Sequence, residues 1–327
     1  MQGIRKWLIS AVAFLLIATV VFAYGYNKLS EKKKIDVTVI LKTIDTSVEF
    51  WQVLTDGVQE AAQEFNVNVQ VWGTTSETDV DDQIALVEKA IENRPDVIVL
   101  AATDYERIVP VSDKIKKSGI KLIIVDSGIK SDVAESVVAT DNINAGREAG
   151  EAMINLIKDP AKIAIISYVK NAASNIDREK GIREVMENHP EIEVLGTYNG
   201  EGSEQNAYLL AKEMLQVHAD MFGIIGLNEP TTVGAGRAIQ ELGLKGKVQL
   251  IGFDSSFNEI KLLDEGVMKA TVLQRPFQMG YLSIKTAVEV VKGKKVPKLI
   301  DTGSLLITKQ NMYEEENQKL LFPFVGD

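Results

Sequence analysis

The chain has 327 residues, 45% of them hydrophobic and 25% charged, which is enough for two domains with substantial cores. A net charge of −10 argues against a nucleic-acid partner, which calls for a basic stripe. With no cysteine, disulfides, thiol catalysis, cysteine-ligated zinc and a lipidated N-terminal cysteine are excluded. The two histidines, His189 and His218, each fall near the end of a predicted helix, where a cation suits the dipole better than it suits a metal site without visible partners.

Residues 7–23 (WLISAVAFLLIATVVFA) carry no charge and follow Arg5 and Lys6. A spanning helix needs about 20 apolar residues. Adding Tyr24, Gly25 and Tyr26 brings the segment to that length, with aromatics at one interface. The competing reading is a cleaved signal peptide, for which Val21-Phe22-Ala23 has the small-residue character of a cleavage site. The length of the run and the charged spacer 27–34 (NKLSEKKK) favour a retained transmembrane anchor.

From Ile35 onward strands and helices alternate. The strands are short, rich in Val and Ile and nearly continuous in apolar character, as parallel strands covered on both faces are. A first series has strands at 36–42, 67–72, 97–101 and 122–126, separated by helices at 50–65, 79–93 and 108–118. A second series begins near Asp141 with helix 145–158, strand 162–167, helix 176–188, strand 193–198 and helix 204–217. It continues with strand 221–227, helix 230–242, strand 248–253, a further helix and strand 270–273. A helix at 277–292 and short strands near 300–302 and 304–308 close the chain. Such alternation implies an α/β fold with right-handed crossovers and parallel sheets, here in two lobes of similar size with no obvious sequence repeat.

Two motif-like fragments carry no chemistry. Gly234-Ala235-Gly236 lacks the third glycine of a dinucleotide fingerprint and lies inside a predicted helix. Residues 78–82 (TDVDD) resemble a calcium loop only in their acids, which belong in a first helical turn anyway; no glycine and closing Glu follow at loop spacing. Neither a GK[ST] phosphate loop nor a G-x-S-x-G element is present. No metal, cofactor or catalytic residue is implied, and no nucleophile–base pairing is visible.

Polar side chains recur where apolar strands end. Asn228 follows strand 221–227, Asp254 follows 248–253 and Gln274 follows 270–273. An open α/β sheet binds its ligand beyond the carboxyl ends of its strands, which brings these three to one crevice. Asp126 ends the strand LIIVD, where a carboxylate suits the paired hydroxyls of a diol. Arg178 lies early in the helix after strand 162–167, and its fork of donors suits ring and hydroxyl oxygens. Phe50 and Trp51 are adjacent on one helical turn and cannot both face the same core; they offer an apolar face to a sugar ring. Each residue also has a plainer reading. Asn228, Asp254, Gln274 and Asp126 suit caps and turns, Arg178 a surface ion pair, and the two rings a packed and a part-exposed pair. Their shared placement favours a site that binds a small polyhydroxylated molecule and does no chemistry on it.

The stretches FWQVLTDGV, VDSG, ATDN, REKG, LNEP, GFD and ATVLQ, in that order, resemble the ribose/galactose class of type 1 solute-binding proteins, over about residues 34–325. The resemblance implies two Rossmann-like lobes joined by a three-strand hinge near 139–142, 274–276 and 303–305, closing on a monosaccharide. The N-terminal lobe would comprise 35–140 and 275–304, the C-terminal lobe 141–274 and 305–327, after an anchor or signal segment and linker at 1–34. The family's aromatic pair falls on Phe50 and Trp51, its strand-end aspartate on Asp126 and its second-lobe arginine on Arg178. Its asparagine falls on Asn228, its later aspartate on Asp254 and its hinge-proximal glutamine on Gln274. Two departures put ribose itself in doubt. Ser127 stands where the ribose binders have an arginine, and Gly200-Glu201-Gly202 stands where they have an aromatic.

The resemblance further implies a membrane partner, either the permease of an ABC sugar importer or a sugar-sensing histidine kinase, with the binding body on the extracytoplasmic side. A retained anchor leans towards sensing. The alternatives are a regulator of the lac-repressor type, which would need a DNA-binding helix-turn-helix where the apolar segment lies, and a binder of another small polar ligand.

Overall fold

The computed structural model describes residues 34–321. The anticipated membrane segment lies outside the described residues, among which no helix is long and apolar enough to cross a membrane. From Asp36 the described chain belongs to one compact unit.

The first half forms β1 (Asp36–Leu41), α1 (Glu49–Phe65), β2 (Asn68–Gly73), α2 (Val80–Asn93), β3 (Val97–Leu100), α3 (Val109–Lys117), β4 (Lys121–Val125) and β5 (Ser136–Ala139). The second half forms α4 (Asn142–Ile154), β6 (Ala161–Ser167), α5 (Ala173–Met186), β7 (Ile192–Asn199), α6 (Glu204–Val217), β8 (Met221–Gly226) and α7 (Glu229–Glu241). It continues with β9 (Gln249–Phe253), α8 (Phe257–Asp264) and β10 (Met268–Leu273). Then α9 (Pro276–Val291) and β11 (Leu299–Asp301) precede β12 (Leu305–Thr308) and α10 (Glu315–Leu321).

Two six-stranded sheets result, ordered β11-β5-β4-β3-β1-β2 and β12-β10-β9-β8-β6-β7. The orders match strand for strand: β1 corresponds to β6, β4 to β9, and β11 to β12. Every pairing is parallel except that of β12 with β10, which is antiparallel. Fully parallel sheets were the sequence expectation. The exception arises because β11 ends at the carboxyl edge of the first sheet and only three residues lead on to β12, so the chain enters the second sheet at its carboxyl edge and runs against its neighbour. The chain passes between the sheets three times: from β5 into α4, from β10 into α9, and from β11 to β12.

Apolar runs become strands buried on both faces. Ile40, Ile98, Leu100, Leu122 and Ile124 point to the helix side that carries α2 and α3, where Val87, Ala90, Ile108, Val111 and Ile115 meet them. In the second sheet Ile163, Ile165, Ile225 and Ile251 pack against Ala145, Ala149, Met153 and Ile182 of α4 and α5. The opposite face packs on α6, α7 and α8.

Two helix starts differ from the sequence reading. Helix α4 starts at Asn142 because the Asp141 carboxylate accepts a hydrogen bond from the Asn144 amide at 3.0 Å and caps it. Helix α5 starts at Ala173, three residues before the expected 176. Strand β5 and helix α10 were not anticipated; each is short, four and seven residues, and carries little periodicity. The Gly234 and Gly236 pair inside α7 is a packing device: a Cβ on Gly234 would lie 2.5 Å from the Glu204 carbonyl oxygen of α6.

Candidate functional site

All seven residues singled out in the sequence line one cavity between the carboxyl ends of the two sheets, with an empty volume of about 290 Å³. Phe50, Trp51 and Asp126 come from the first sheet's half, and Arg178, Asn228 and Asp254 from the second. Gln274 enters directly after β10. Four more charged or phenolic groups join them: Lys42, Glu77, Tyr168 and Glu229.

The two aspartates are held alike. Asp126 follows β4 and Asp254 follows β9, at corresponding strand ends. Both sit in the left-handed region, with φ of 62° and 76°, which Asp tolerates better than most side chains. Each donates its backbone N–H to the neighbouring strand, Asp126 to the Val138 carbonyl and Asp254 to the Val272 carbonyl, both at 3.0 Å. The turn aims both carboxylates into the cleft.

Their partners differ. Lys42, one residue past β1, reaches across the end of β3 to Asp126 Oδ2 at 2.7 Å, with both side chains almost wholly buried. The residues ending β3 on its path are Ala101 and Ala102, which leave room for the long stem. The Lys42 ammonium also lies 5.6 Å from the Trp51 ring centre and 5.8 Å from that of Tyr168. Burial opposes its charge, yet the field of Asp126, with those of Tyr168 and Glu77, holds its pKa above the ordinary lysine value. Lys42 thus supplies a cation beside Asp126, next to the position where Ser127 lacks one. Ser127 Oγ instead accepts from the Ser174 amide at 3.4 Å, across the two halves.

Arg178 is 2% exposed. It donates Nε to Asn142 Oδ1 at 2.8 Å and Nη1 to the Leu227 carbonyl at 2.7 Å, and lies 4.6 Å over the Phe253 ring. The surface ion-pair reading of this residue does not hold, because three elements clamp it inside. Helix α5, which carries it, sits close to α4; a Cβ on Gly146 would meet the Arg178 carbonyl oxygen at 2.2 Å. Only glycine at that crossing lets the arginine come so near the strand ends.

Asn228 caps α7: its Oδ1 accepts from the Thr231 amide at 3.2 Å, and the Thr231 hydroxyl answers the Asn228 amide. The cap uses its oxygen and not its Nδ2. Gln274 Nε2 donates to Asp254 Oδ1 at 2.6 Å. The other Asp254 oxygen accepts from the Glu229 amide at 3.1 Å. Phe50 and Trp51 are both buried, 9% and 4% exposed, with rings 5.0 Å apart and edge to face. The reading with one ring part-exposed does not hold: Phe50, Lys42 and Glu77 surround Trp51, and neither ring is exposed. Trp51 Nε1 donates to Glu77 Oε1 at 2.7 Å.

Two buried acceptors in this cavity, Glu77 Oε2 and Gln274 Oε1, have no hydrogen-bond partner among the described residues. Burial pushes the Glu77 carboxyl above the ordinary value, with Lys42 and Trp51 pulling the other way. Burial likewise raises Asp254 against the pull of Arg178 and Gln274. Such acceptors suit the hydroxyl donors of a bound molecule.

Glutamates from each half close the cleft. Glu229 accepts from the Glu49 and Phe50 amides, both at 3.3 Å, at the start of α1, whose own N-cap Val48 offers no side-chain bond. In return Glu49 Oε1 accepts from the Phe257 amide at 3.1 Å, at the start of α8. Burial, then the neighbouring Asp254, pushes the Glu229 pKa from its ordinary 4.5 up to about 8. Glu259 behind it is raised too, by burial, Glu229 and Asp254. Between about 4.5 and about 8 the native protein therefore holds a proton that the unfolded chain releases. The stability linked to this proton is complete below that window and is lost as pH rises through 8. Melting temperatures are expected to fall from about pH 5 to about pH 9, and Glu229→Gln is expected to flatten that slope. An unchanged slope in the variant would assign the dependence to other groups.

Lys42, Tyr168, Glu77 and Glu229 went unmarked in the sequence. Lys42 and Tyr168 obey the rule that found Asp254, each ending an apolar strand, and the signal was there to be used. Glu77 sits in the loop after β2 and Glu229 in a first helical turn, where an acid is ordinary.

A family model described as a periplasmic binding protein domain matches residues 37–295. The D-allose-binding periplasmic protein of Escherichia coli is 26% identical over 326 residues, covering 94% of this chain and 100% of its own. The crystal structure of an ABC transporter solute binding protein from Agrobacterium vitis with bound D-fucose is 33% identical, with a TM-score of 0.85. The match covers 88% of this chain and 99% of that one. A sugar transporter from Clostridium phytofermentans is 40% identical, with a TM-score of 0.79 over 84% of this chain and 98% of its own. With the family model spanning most of the chain and the fold shared from end to end of these relatives, the protein belongs to the periplasmic binding protein family.

Proposed function

We propose that the protein binds a monosaccharide between its lobes, on the extracytoplasmic side, and hands it to the permease of an ABC sugar importer. The observation that carries this is the composition of the central cavity. Aromatic, cationic, carboxylate and amide groups from both sheets converge in one cleft, and two buried acceptors there await donors. Relatives with bound D-fucose and D-arabinose, and named D-allose and ribose binders, support the ligand class.

Phe50, Trp51, Asp126, Arg178, Asn228, Asp254 and Gln274 are the proposed contacts, with Lys42, Glu77 and Tyr168 added. The lobes are 35–140 with 275–304 and 141–274 with 305–327, and the three chain passages between them are the hinge. Sugar touching both lobes stabilises the closed form because only that form makes both sets of contacts. No chemistry on the sugar is proposed; the named relatives are binding and transport proteins.

A second reading pairs the closed lobes with a sensor histidine kinase. The apolar run 7–23 and its charged spacer favour it, since a chain tethered beside one partner has no need to diffuse.

A thermal-shift screen of the full-length chain against pentoses, hexoses, polyols and inositols tests the binding function. A rise in midpoint with one sugar is expected by mass action. Silence across the whole set would retire the sugar assignment.

A further inference from the structure

A second chamber lies next to the central cavity and shares a wall with it. Val48, Glu77, Glu229 and Pro230 line the cavity on one side and the wider chamber on the other, with an empty volume of about 860 Å³ including its mouth. The outer walls are the loop after β1, with Asp45 and Ser47, and the loop and first turn after β7, with Glu201 and Gln205. Ser76 and Asn258 complete them. We propose that this chamber is a second sugar subsite, so that the ligand is a neutral disaccharide with one ring inside and the other here. The inference rests on the sugar-binding function above and extends its ligand by one ring.

Glu77 carries the argument. Its Oε1 is taken by Trp51 on the inner side. Its Oε2 is buried without a hydrogen-bond partner among the described residues and lies 3.8 Å from where a Cβ on Gly202 would stand, on the outer side. The residue is 7% exposed, and a buried carboxylate oxygen left without a donor bears the desolvation cost of that group. A hydroxyl near a glycosidic link, passing between Glu77 and Pro230, meets that need.

The chamber's chemistry narrows the class. Hydroxyl, amide and carboxylate groups line it, with no aromatic ring and no lysine or arginine among its described residues. The second ring is gripped by its hydroxyl rim and not by stacking. The carboxylates of Asp45, Glu77 and Glu201 repel an anionic unit, so sugar phosphates and uronates are rejected. The loop leaves the room because Gly202, at φ 68°, has no side chain to fill it.

The test is calorimetry on the full-length chain with glucose and galactose, and with cellobiose, maltose, lactose and melibiose. At least one disaccharide is expected to bind about tenfold or more tighter than either hexose. Gln205→Trp and Asn258→Trp, at two exposed positions outside the inner cavity, fill the chamber. Each is expected to erase that gain and leave hexose affinity unchanged. Hexoses binding as tightly as every disaccharide, or a gain that survives both tryptophans, overturns the subsite while sparing the inner site. If no hexose and no disaccharide binds, the subsite and the underlying function fall together.

Discussion

Arg178→Ala is expected to weaken sugar binding by at least tenfold and to lower the melting temperature of the free protein. The guanidinium is almost fully enclosed, bonded to Asn142 and to the Leu227 carbonyl, and set over Phe253. Truncation strips a donor set from the cleft and leaves buried acceptors behind. Removing one member of a buried, hydrogen-bonded charged contact costs about 2–5 kcal/mol, much of it the penalty on the groups left unpaired. Asp254 then loses the positive field that favours its ionised form. Arg178→Lys keeps the charge but not the fork, and is expected to recover stability better than affinity. Titration calorimetry that found unchanged affinity in the alanine variant would remove Arg178 from the site.

Lys42→Met is expected to be the most damaging single change to stability. Lys42 and Asp126 are 2% and 4% exposed and meet at 2.7 Å. Breaking a buried pair by removing one partner costs about 3–5 kcal/mol, because the other charge stays buried without compensation. The ammonium's contacts with the Trp51 and Tyr168 rings go as well. The double variant Lys42→Met with Asp126→Asn removes the stranded charge and is expected to regain most of the loss. Urea denaturation of the wild type, both single variants and the double variant closes the cycle. Equal midpoints for Lys42→Met and the wild type would mean that the pair contributes nothing net.

Strand ends were the legible part of this chain. A run such as LIIVD or LIGFD announces both a buried strand and a polar group delivered at its carboxyl edge, and Asp126 and Asp254 could be read from that alone. The short sheet-edge strand SVVA could not, since four residues carry too little pattern to separate strand from loop. Lys42 was absorbed into its strand because a lysine next to an apolar run usually marks solvent. Its burial depends on a carboxylate 84 positions away, a pairing that no local window contains. Glu229 is harder still: an acid at a helix start is satisfied locally in most proteins, whereas here it caps a helix of the opposite half.

The matched strand orders of the two sheets bear on how the cleft tells one end of a ligand from the other. A backbone with near twofold equivalence invites a guest to bind head first or tail first with similar energy. The aspartates repeat across that axis, but their surroundings do not. Counting from each strand end, Lys42 corresponds to Tyr168, Ala102 to Asn228 and Thr140 to Gln274. A molecule turned about the axis would exchange an ammonium for a phenol, a methyl for an amide and a short hydroxyl for a long carboxamide. Directionality is therefore written in side chains on a frame that is itself indifferent to it, and swapping Lys42 and Tyr168 would be the way to reverse the guest.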